Sequence, residues 1–257
     1  MDLGIAGKTA FVAASTGGLG LAVARALAAD GARVAITGRR RELAEAIAAE
    51  LPGAIAVEAD LSTPDGVAAA VERTEHELGP VDILVLNGPG PKPGAAAAMT
   101  DDDLTAALET LVRPHHALVS RILPGMRERR WGRVLAIGSS GIVAPLANLA
   151  VSNTGRAALA AYLKTLAAEV ALDAVTVNLL LPGRIGTDRV AELDQAAAKR
   201  RGVTVTDIER ESLKTIPSRR YGNPEEFGAA AAFLCSAPAS YITGVALRCD
   251  GGLIRSL

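Results

Sequence analysis

The chain has 257 residues, of which 49% are hydrophobic, so it can bury one sizeable core. Its 27 basic and 28 acidic side chains nearly cancel, which argues against a nucleic acid or an anionic membrane as partner. Cys235 and Cys249 form no disulfide or metal-binding pattern, and no signal peptide or membrane-spanning run is recognisable. We therefore expect a cytoplasmic protein without a bound metal.

Short apolar runs alternate with helix-length segments along the whole chain. This alternation predicts an α/β fold, with parallel strands buried on both faces and right-handed crossovers that place helices on both sides of the sheet. Ligands would bind beyond the carboxyl ends of the strands. The predicted strands are residues 9–14, 33–37, 54–57, 81–86, 133–137, 175–181 and 245–248, and the predicted helices are residues 19–29, 40–50, 66–78, 101–127, 153–172 and 224–234.

Two segments interrupt this alternation. Residues 88–94, GPGPKPG, predict a turn-rich loop after the fourth strand. Residues 188–220 are charged and helix-prone, and we interpret them as an insertion that forms a lid over a substrate. Four arginines in or near this insertion could bind an anionic group, although a solvated surface is the alternative for at least half of them. They are Arg184, Arg189, Arg219 and Arg220.

The first predicted strand leads into a glycine-rich turn, ASTGGLG at residues 14–20, and then into a helix. Glycines at such a turn let backbone N–H groups and the helix N-terminus approach a pyrophosphate closely. A tight connection without a ligand is the alternative, but the position after the first strand of an α/β chain favours a dinucleotide site. The candidate residues are Ser15, Thr16, Gly18, Leu19 and Gly20.

The second predicted strand ends at Gly38, followed by three arginines rather than the acidic residue that would bind the ribose of NAD. A basic, solvated helix start is one interpretation. Cations at a helix N-terminus are disfavoured by the helix dipole, however, so an anionic ligand is the better explanation for Arg39 at least. We therefore predict that Arg39 and Arg40 bind a 2′-phosphate and that NADP(H) is preferred over NAD(H).

Further motifs occur in a characteristic order. They are Asp60 in EADLS, Asn87 after DILVL, Ser139 in AIGSSG, PGRIGT at residues 182–187, and YITGVALRCDGG near the C-terminus. With the glycine turn, they make the chain resemble the short-chain dehydrogenase/reductase family, in particular its subgroup similar to 3-oxoacyl-acyl-carrier-protein reductases. The resemblance implies a doubly wound Rossmann fold, with a seven-stranded parallel sheet in one domain of residues 1–257. It also implies a homotetramer or homodimer, usually assembled through two long helices.

The resemblance assigns further residues to the cofactor. Asp60, with Leu61, would contact the adenine, and Asn87, with Gly88, would lie beside the adenosine half. The alternatives are that Asp60 only caps the following helix and that Asn87 serves only a turn. The loop after the sixth strand would hold the nicotinamide carboxamide, through Pro182, Gly183, Ile185 and Thr187.

The catalytic positions depart from the family pattern of Asn, Ser, Tyr and Lys. Ser139 is retained, but Leu111, Ser152 and Arg156 occupy the Asn, Tyr and Lys positions. An aliphatic hydroxyl is far too weak an acid to replace a phenol, whose pKa of about 10 a nearby cation can lower. Arg156 can bind ribose hydroxyls or stabilise an alkoxide, but it does not relay protons near pH 7. We name Ser139, Ser152 and Arg156 as the catalytic residues; the alternative for Ser152 is that it is only a small residue at the start of its helix.

The proton source is open at this point. His115 or His116 could titrate near neutrality, although paired histidines beside Pro114 more often serve packing or an interface. Water ordered by the three catalytic residues is an equally good source.

Three functions are compatible with these residues. The first is an NADP(H)-dependent oxidoreductase that interconverts a carbonyl and an alcohol, on a small or acyl-thioester substrate. The second is a degenerate family member that binds NADP(H) and regulates without turnover. The third is a lyase on the same scaffold. We rank the lyase last because halohydrin dehalogenases keep the tyrosine and abandon the glycine turn, which is the reverse of this chain.

Overall fold

The computed structural model describes residues 1–256 and is built on one seven-stranded sheet in which every neighbouring pair is parallel. Its strands are β1 (Thr9–Val12), β2 (Arg33–Gly38), β3 (Ile55–Glu58), β4 (Ile83–Leu86), β5 (Gly132–Ile137), β6 (Val175–Pro182) and β7 (Ala246–Cys249). They are arranged in the order β3-β2-β1-β4-β5-β6-β7. The fold class predicted from the sequence is confirmed.

Helices cover both faces of this sheet. They are α1 (Gly18–Ala29), α2 (Arg41–Glu50), α3 (Pro64–Leu78), α4 (Asp101–Leu111), α5 (Arg113–Glu128), α6 (Ala150–Val170), α7 (Asp188–Arg201), α8 (Val205–Thr215) and α9 (Pro224–Leu234). One core packs α1, α2 and α9 against the sheet, and a second packs α3, α5 and α6 against the opposite face. Small residues allow close helix contacts, since a Cβ atom on Gly228 of α9 would lie 2.6 Å from the backbone oxygen of Ala22 in α1. No helix in residues 1–256 is long and apolar enough to cross a membrane.

The helix predicted over residues 101–127 is in fact two helices. It breaks at Val112, whose φ of −119° and ψ of −57° lie outside regular helix geometry. Pro114 lies in the first turn of α5, where its missing N–H has no intrahelical partner to lose. The predicted insertion at residues 188–220 contains α7 and α8.

The strand order places the ligand crevice. From β1 the chain builds outward to β2 and β3, and then returns to the other side of β1 with β4. Strand connections diverge at the carboxyl ends of β1 and β4, which is where doubly wound folds bind their ligands. The glycine turn after β1 and Asn87 after β4 both lie at this edge.

Candidate active site

A network of hydrogen bonds fixes the start of the glycine turn. The backbone N–H groups of Ala14 and Ser15 donate to the hydroxyl and backbone oxygens of Thr37 at 3.1 and 2.9 Å. Ser15 and Thr37 each donate their hydroxyl to the Val12 oxygen at 2.8 Å, and the Thr37 N–H donates to the Ser15 hydroxyl oxygen at 2.9 Å. Ser15 is fully buried and so shapes the turn from inside. Thr37 was not predicted from the sequence, where the only indication of its role is that a hydroxyl residue ends an apolar strand.

The rest of the turn matches what a pyrophosphate requires. A Cβ atom on Gly20 would lie 2.6 Å from the Ala14 oxygen and 2.7 Å from Asn87 Nδ2, so only glycine fits there. Asn87 Nδ2 itself donates to the Ala14 oxygen at 3.1 Å and thereby ties β4 to the turn. α1 begins without a side-chain cap and without an acidic residue in its first turn. Its first N–H groups are thus available to an anion.

Basic side chains flank this turn on the β2 side. Arg40 Nη2 donates to the backbone oxygen and to the hydroxyl of Thr16, both at 3.0 Å. Arg39 is exposed, and its charge helps to lower the pKa of Asp60. The main cause of that shift is Ser62, whose hydroxyl and N–H donate to the Asp60 carboxylate at 2.7 and 3.0 Å.

Thr63, and not Asp60, caps the helix that follows β3. The N-cap of α3 is Thr63, whose hydroxyl oxygen accepts from the Gly66 N–H at 3.0 Å. The exposed carboxylate of Asp60 bonds only to Ser62 within residues 1–256. Asp60 and the half-buried Leu61 follow β3, at the same edge of the sheet as the glycine turn.

Ser139 and Arg156 meet at the carboxyl end of β5. Arg156 Nη1 donates to the backbone oxygens of Ile137 and Gly138 at 2.9 and 3.2 Å. The Ser139 hydroxyl oxygen accepts from the Gly141 N–H at 3.0 Å, so its own proton is free to be donated. Ser152 lies one helical turn before Arg156 on α6 and therefore shares its face. The structure brings the three predicted catalytic residues to one end of the sheet.

Arg156 is half-buried, and its guanidinium has no counter-ion within residues 1–256. No carboxylate in the described chain lies within 4.0 Å of it. Burial, and secondly the positive charge of Arg189, lower the pKa of Arg156 to about 10. Arg156 remains a cation at neutral pH, and its partial burial without a counter-ion favours an electron-rich ligand.

Leu111, which the sequence predicts to occupy the position of the family's asparagine, is part of a helix contact. It is 1% exposed, and a Cβ atom on Gly155 of α6 would lie 2.8 Å from its Cδ1. Leu111 thus closes the contact between α4 and α6.

The two histidines face different environments. His115 is buried, with Nδ1 2.7 Å from the Leu111 backbone oxygen. Burial, with a further contribution from Arg156, lowers its pKa despite backbone hydrogen bonds to Leu111 and Asn87 that raise it. His115 is therefore neutral at pH 7. His116 is exposed on the outer face of α5, where its ring centroid is 5.5 Å from that of Tyr162.

The insertion is anchored beside the loop that follows β6. Buried Asp194 of α7, 2% exposed, forms an ion pair with Arg184 and accepts a hydrogen bond from the Tyr221 hydroxyl at 2.9 Å. The Gly186 N–H donates to the Gly222 oxygen at 2.9 Å, which holds this loop next to the end of the insertion. Asp194 and Tyr221 were not predicted from the sequence. Nothing in the sequence distinguishes Asp194 from the other charged residues of α7.

The predicted nicotinamide loop follows β6 directly. A Cβ atom on Gly183 would lie 2.6 Å from Asp250 Cα, so close packing against the C-terminal segment requires glycine there. Pro182 ends β6, Ile185 is buried, and Thr187 precedes α7 with its hydroxyl 3.4 Å from the Ile185 oxygen. The loop lies next to the Ser139 region because β6 pairs with β5.

Comparisons with known proteins agree with this geometry. A family model described as Enoyl-(Acyl carrier protein) reductase matches residues 13–254. Nodulation protein G of Azospirillum brasilense is 34% identical over 253 residues, which cover 96% of this chain and 98% of the relative. The 3-oxoacyl-[acyl-carrier-protein] reductase FabG of Aquifex aeolicus is 33% identical over 260 residues, covering 98% of this chain and 100% of the relative.

Solved structures of reductases share the fold of this protein over its whole length. L-sorbose reductase of Gluconobacter frateurii, complexed with NADPH and L-sorbose, matches with a TM-score of 0.93 and 32% identity, covering 100% of both chains. The resemblance predicted from the motifs is thereby confirmed, and two of these three relatives are reductases by name. The chain belongs to the short-chain dehydrogenase/reductase family.

Proposed function

We propose that this protein is an NADP(H)-dependent oxidoreductase that interconverts a carbonyl and an alcohol, on a small or acyl-thioester substrate. The observation that carries the proposal is the geometry of the glycine turn, in which the uncapped N-terminus of α1 meets Gly20, packed against Ala14 and Asn87. The similar L-sorbose reductase was solved with NADPH, which supports the same cofactor here.

We assign each candidate residue at the strand ends to the part of the cofactor that it would contact. Backbone groups of the turn would hold the pyrophosphate, Arg39 and Arg40 the 2′-phosphate, and Arg156 the ribose hydroxyls. The other assignments follow the family pattern. Asp60 and Leu61 would contact the adenine, Asn87 and Gly88 the adenosine half, and Pro182, Gly183, Ile185 and Thr187 the carboxamide.

The mechanism uses the hydroxyl and the cation at the end of β5. Bound NADPH would supply the hydride. Ser139 would donate a hydrogen bond to the substrate carbonyl, and the half-buried guanidinium of Arg156 would stabilise the negative charge that develops on that oxygen. Because neither Ser152 nor Arg156 is an effective acid at pH 7, water held by these two side chains delivers the proton. His115, held neutral, is not the acid in this scheme.

The cofactor assignment is tested by calorimetric titration with NADPH and NADH. We expect Arg39→Ala to weaken NADPH binding about 10-fold, the effect of losing one charge-assisted hydrogen bond, and to leave NADH binding unchanged. Arg41→Ala is the matched control, because Arg41 is also exposed but is paired with Glu45 at 2.8 Å. An NADPH preference that survives in the Arg39 variant would refute the assignment.

Catalysis is tested by following NADPH absorbance with 3-oxoacyl thioesters, ketones and aldehydes. Ser139→Ala should lower the rate about 100-fold, as expected when one donor to a developing oxyanion is removed. If no substrate of this panel is consumed, the oxidoreductase proposal is wrong.

A regulatory NADP(H)-binding protein is the second candidate, favoured by the replacement of Asn, Tyr and Lys by Leu111, Ser152 and Arg156. The double variant Ser152→Tyr/Arg156→Lys restores the tyrosine and lysine of the family pattern. Tight nucleotide binding without turnover, in both the natural chain and this variant, would favour the regulatory role.

A further inference from the structure

The segment that follows the Ser139 region is apolar and largely exposed. Residues 142–149 have the sequence IVAPLANL, which contains no charged side chain. They connect the end of β5 to the start of α6, and within them Val143 is 43% exposed and Leu146 is 36% exposed. Apolar side chains with a few polar groups among them are typical of the walls of a small-molecule site.

The middle of this segment has a single attachment to the rest of the chain. Its first residues donate their N–H groups to the Ser140 backbone oxygen, and near its end the Asn148 oxygen accepts from the Gly94 N–H at 2.9 Å. Of residues 145–147, Leu146 alone forms hydrogen bonds to another part of the described chain. The position of the middle of the segment therefore depends on the partner of Leu146.

That partner is Asn153 of α6, which binds the backbone of Leu146 at two points. Asn153 Nδ2 donates to the Leu146 oxygen at 2.9 Å, and Asn153 Oδ1 accepts from the Leu146 N–H at 3.3 Å. The opposite orientation of the amide would place donor against donor and acceptor against acceptor, so this pattern fixes the side chain. Asn153 thus attaches Leu146 to the helix that carries Ser152 and Arg156.

Leu146, Asn153 and Ser139 all meet at Gly141. A Cβ atom on Gly141 would lie 2.5 Å from Asn153 Oδ1, 3.3 Å from Ser139 Oγ and 3.5 Å from Leu146 Cγ. The N–H of Gly141 is also the donor to the Ser139 hydroxyl oxygen, at 3.0 Å. Asn153 therefore lies against the glycine that orients Ser139, and the side chain of Leu146 lies beside the same hydroxyl.

The cations of the insertion offer no free charge to compete with this apolar contact. Each of the four arginines predicted to bind an anion has a polar partner within the chain. These partners are Asp194 for Arg184, Glu226 for Arg220, the Lys214 backbone oxygen for Arg219 and the Pro91 backbone oxygen for Arg189.

We propose that Asn153 is a positioning residue that holds Leu146 beside Ser139, and that Leu146 determines specificity by contacting an apolar substituent of the substrate carbonyl. This inference rests on the oxidoreductase function proposed above and names one feature of its substrate. Ser139 binds the carbonyl oxygen, and the carbon chain attached to that carbonyl covers the exposed side chain of Leu146. Asn153 acts only through Leu146 and Gly141.

Hydrogen exchange followed by mass spectrometry tests the attachment without any substrate. Asn153→Ala removes both bonds and should accelerate amide exchange within residues 142–149 about 10-fold. Asn153→Asp keeps the acceptor for the Leu146 N–H and should retain part of the protection. Thr154→Ala, at the exposed next position of the same helix, is the control and should match the natural chain. Unchanged exchange in Asn153→Ala overturns the proposal.

Specificity is tested with hexanamide and acetamide, two unreactive carbonyl probes that differ only in the length of their apolar chain. They are titrated by calorimetry into the full chain saturated with NADP⁺. We expect hexanamide to bind at least about 10-fold more tightly, because its chain buries more apolar surface. Leu146→Ser and Asn153→Ala should each reduce this preference to below about threefold, and Thr154→Ala should leave it unchanged. NADPH affinity should stay within about twofold in every variant, which a general disruption of the site would not allow.

The outcomes that contradict the proposal are distinct. Equal binding of the two amides, no binding of hexanamide, or a preference that survives in Leu146→Ser overturns it. If that preference survives and Leu146→Ser also lowers the mass measured after size exclusion, residues 142–149 form an interface between copies instead. The amide titrations need no turnover, and they can be repeated without NADP⁺. A chain that binds no nucleotide or reduces no carbonyl therefore refutes the proposed function and leaves the amide preference measurable.

Discussion

At the scale of single residues, Ala14 is the clearest case of a strained backbone. It opens the glycine turn with a φ of +48°, in the left-handed region that costs a residue with a Cβ atom about 1–2 kcal/mol. Its backbone is held there by the Thr37 hydroxyl on its N–H and by the Asn87 amide on its oxygen. These bonds maintain a conformation that glycine would adopt without strain.

We therefore expect Ala14→Gly to stabilise the protein by about 0.5–1 kcal/mol, the relief of strain minus the greater chain entropy of glycine in the unfolded state. Urea denaturation of both proteins measures this difference. Ala13→Gly is the matched control, because Ala13 is fully buried and its φ is not positive, so this variant should lose stability. If both variants are destabilised alike, the strain argument fails.

The sequence predicts the residues of the site unevenly. Ser139, Ser152 and Arg156 follow from motif spacing, and the structure brings them to the end of β5 and the start of α6. Thr37 and Asp194 do not follow, because their roles depend on contacts between segments distant in sequence, and the partner of Arg189 is hidden for the same reason although Arg189 itself is a candidate from the sequence. The bond from Arg189 to Pro91 joins residues 98 positions apart, and no local pattern encodes such a contact.

At the scale of elements, the anchoring of α7 decides how firmly the insertion is held. The buried carboxylate of Asp194 receives Arg184 on one oxygen and the Tyr221 hydroxyl on the other. Removing the Tyr221 hydroxyl leaves one oxygen of a buried carboxylate without its donor, which costs about 1–2 kcal/mol.

We expect Tyr221→Phe to accelerate tryptic cleavage within residues 188–220 about 10-fold, because cleavage follows the population of the opened segment. Gel analysis of a time course measures the rate. Tyr241→Phe removes the same hydroxyl from a side chain that is 101% exposed, and it should leave the rate unchanged. Equal rates in the natural chain and in Tyr221→Phe would show that this bond does not hold the insertion.

The single helix predicted over residues 101–127, which is two helices in the structure, shows why element boundaries are harder to predict than element types. Pro114 signals a disturbance, but proline is equally acceptable in the first turn of a helix, so the pattern does not distinguish a kink from a new start. One tertiary contact and one local hydrogen bond decide between these two possibilities. Leu111 packs against Gly155, and His115 bonds back to the Leu111 oxygen at 2.7 Å, which stabilises a break at Val112.

At the scale of the whole molecule, the sheet and helices leave apolar surface uncovered. β7 forms one edge of the sheet, and its Leu247 is 40% exposed. On α4, Leu104 and Leu108 are each 41% exposed and lie one helical turn apart, so they form one apolar strip. Unpaired edges and apolar strips are the surfaces that symmetric oligomers cover.

We predict that the protein is a homotetramer or homodimer assembled in part through this strip. Light scattering after size exclusion should give a mass two or four times the 26.3 kDa of one chain. Leu108→Lys should shift the distribution toward smaller species, because assembly would bury an unpaired charge. Leu172→Lys is the control, since Leu172 is 85% exposed and lies on the short turn after α6, away from α4, so its assembly should match that of the natural chain. A monomer at micromolar concentration would contradict the prediction, and the exposed leucines would then need another partner.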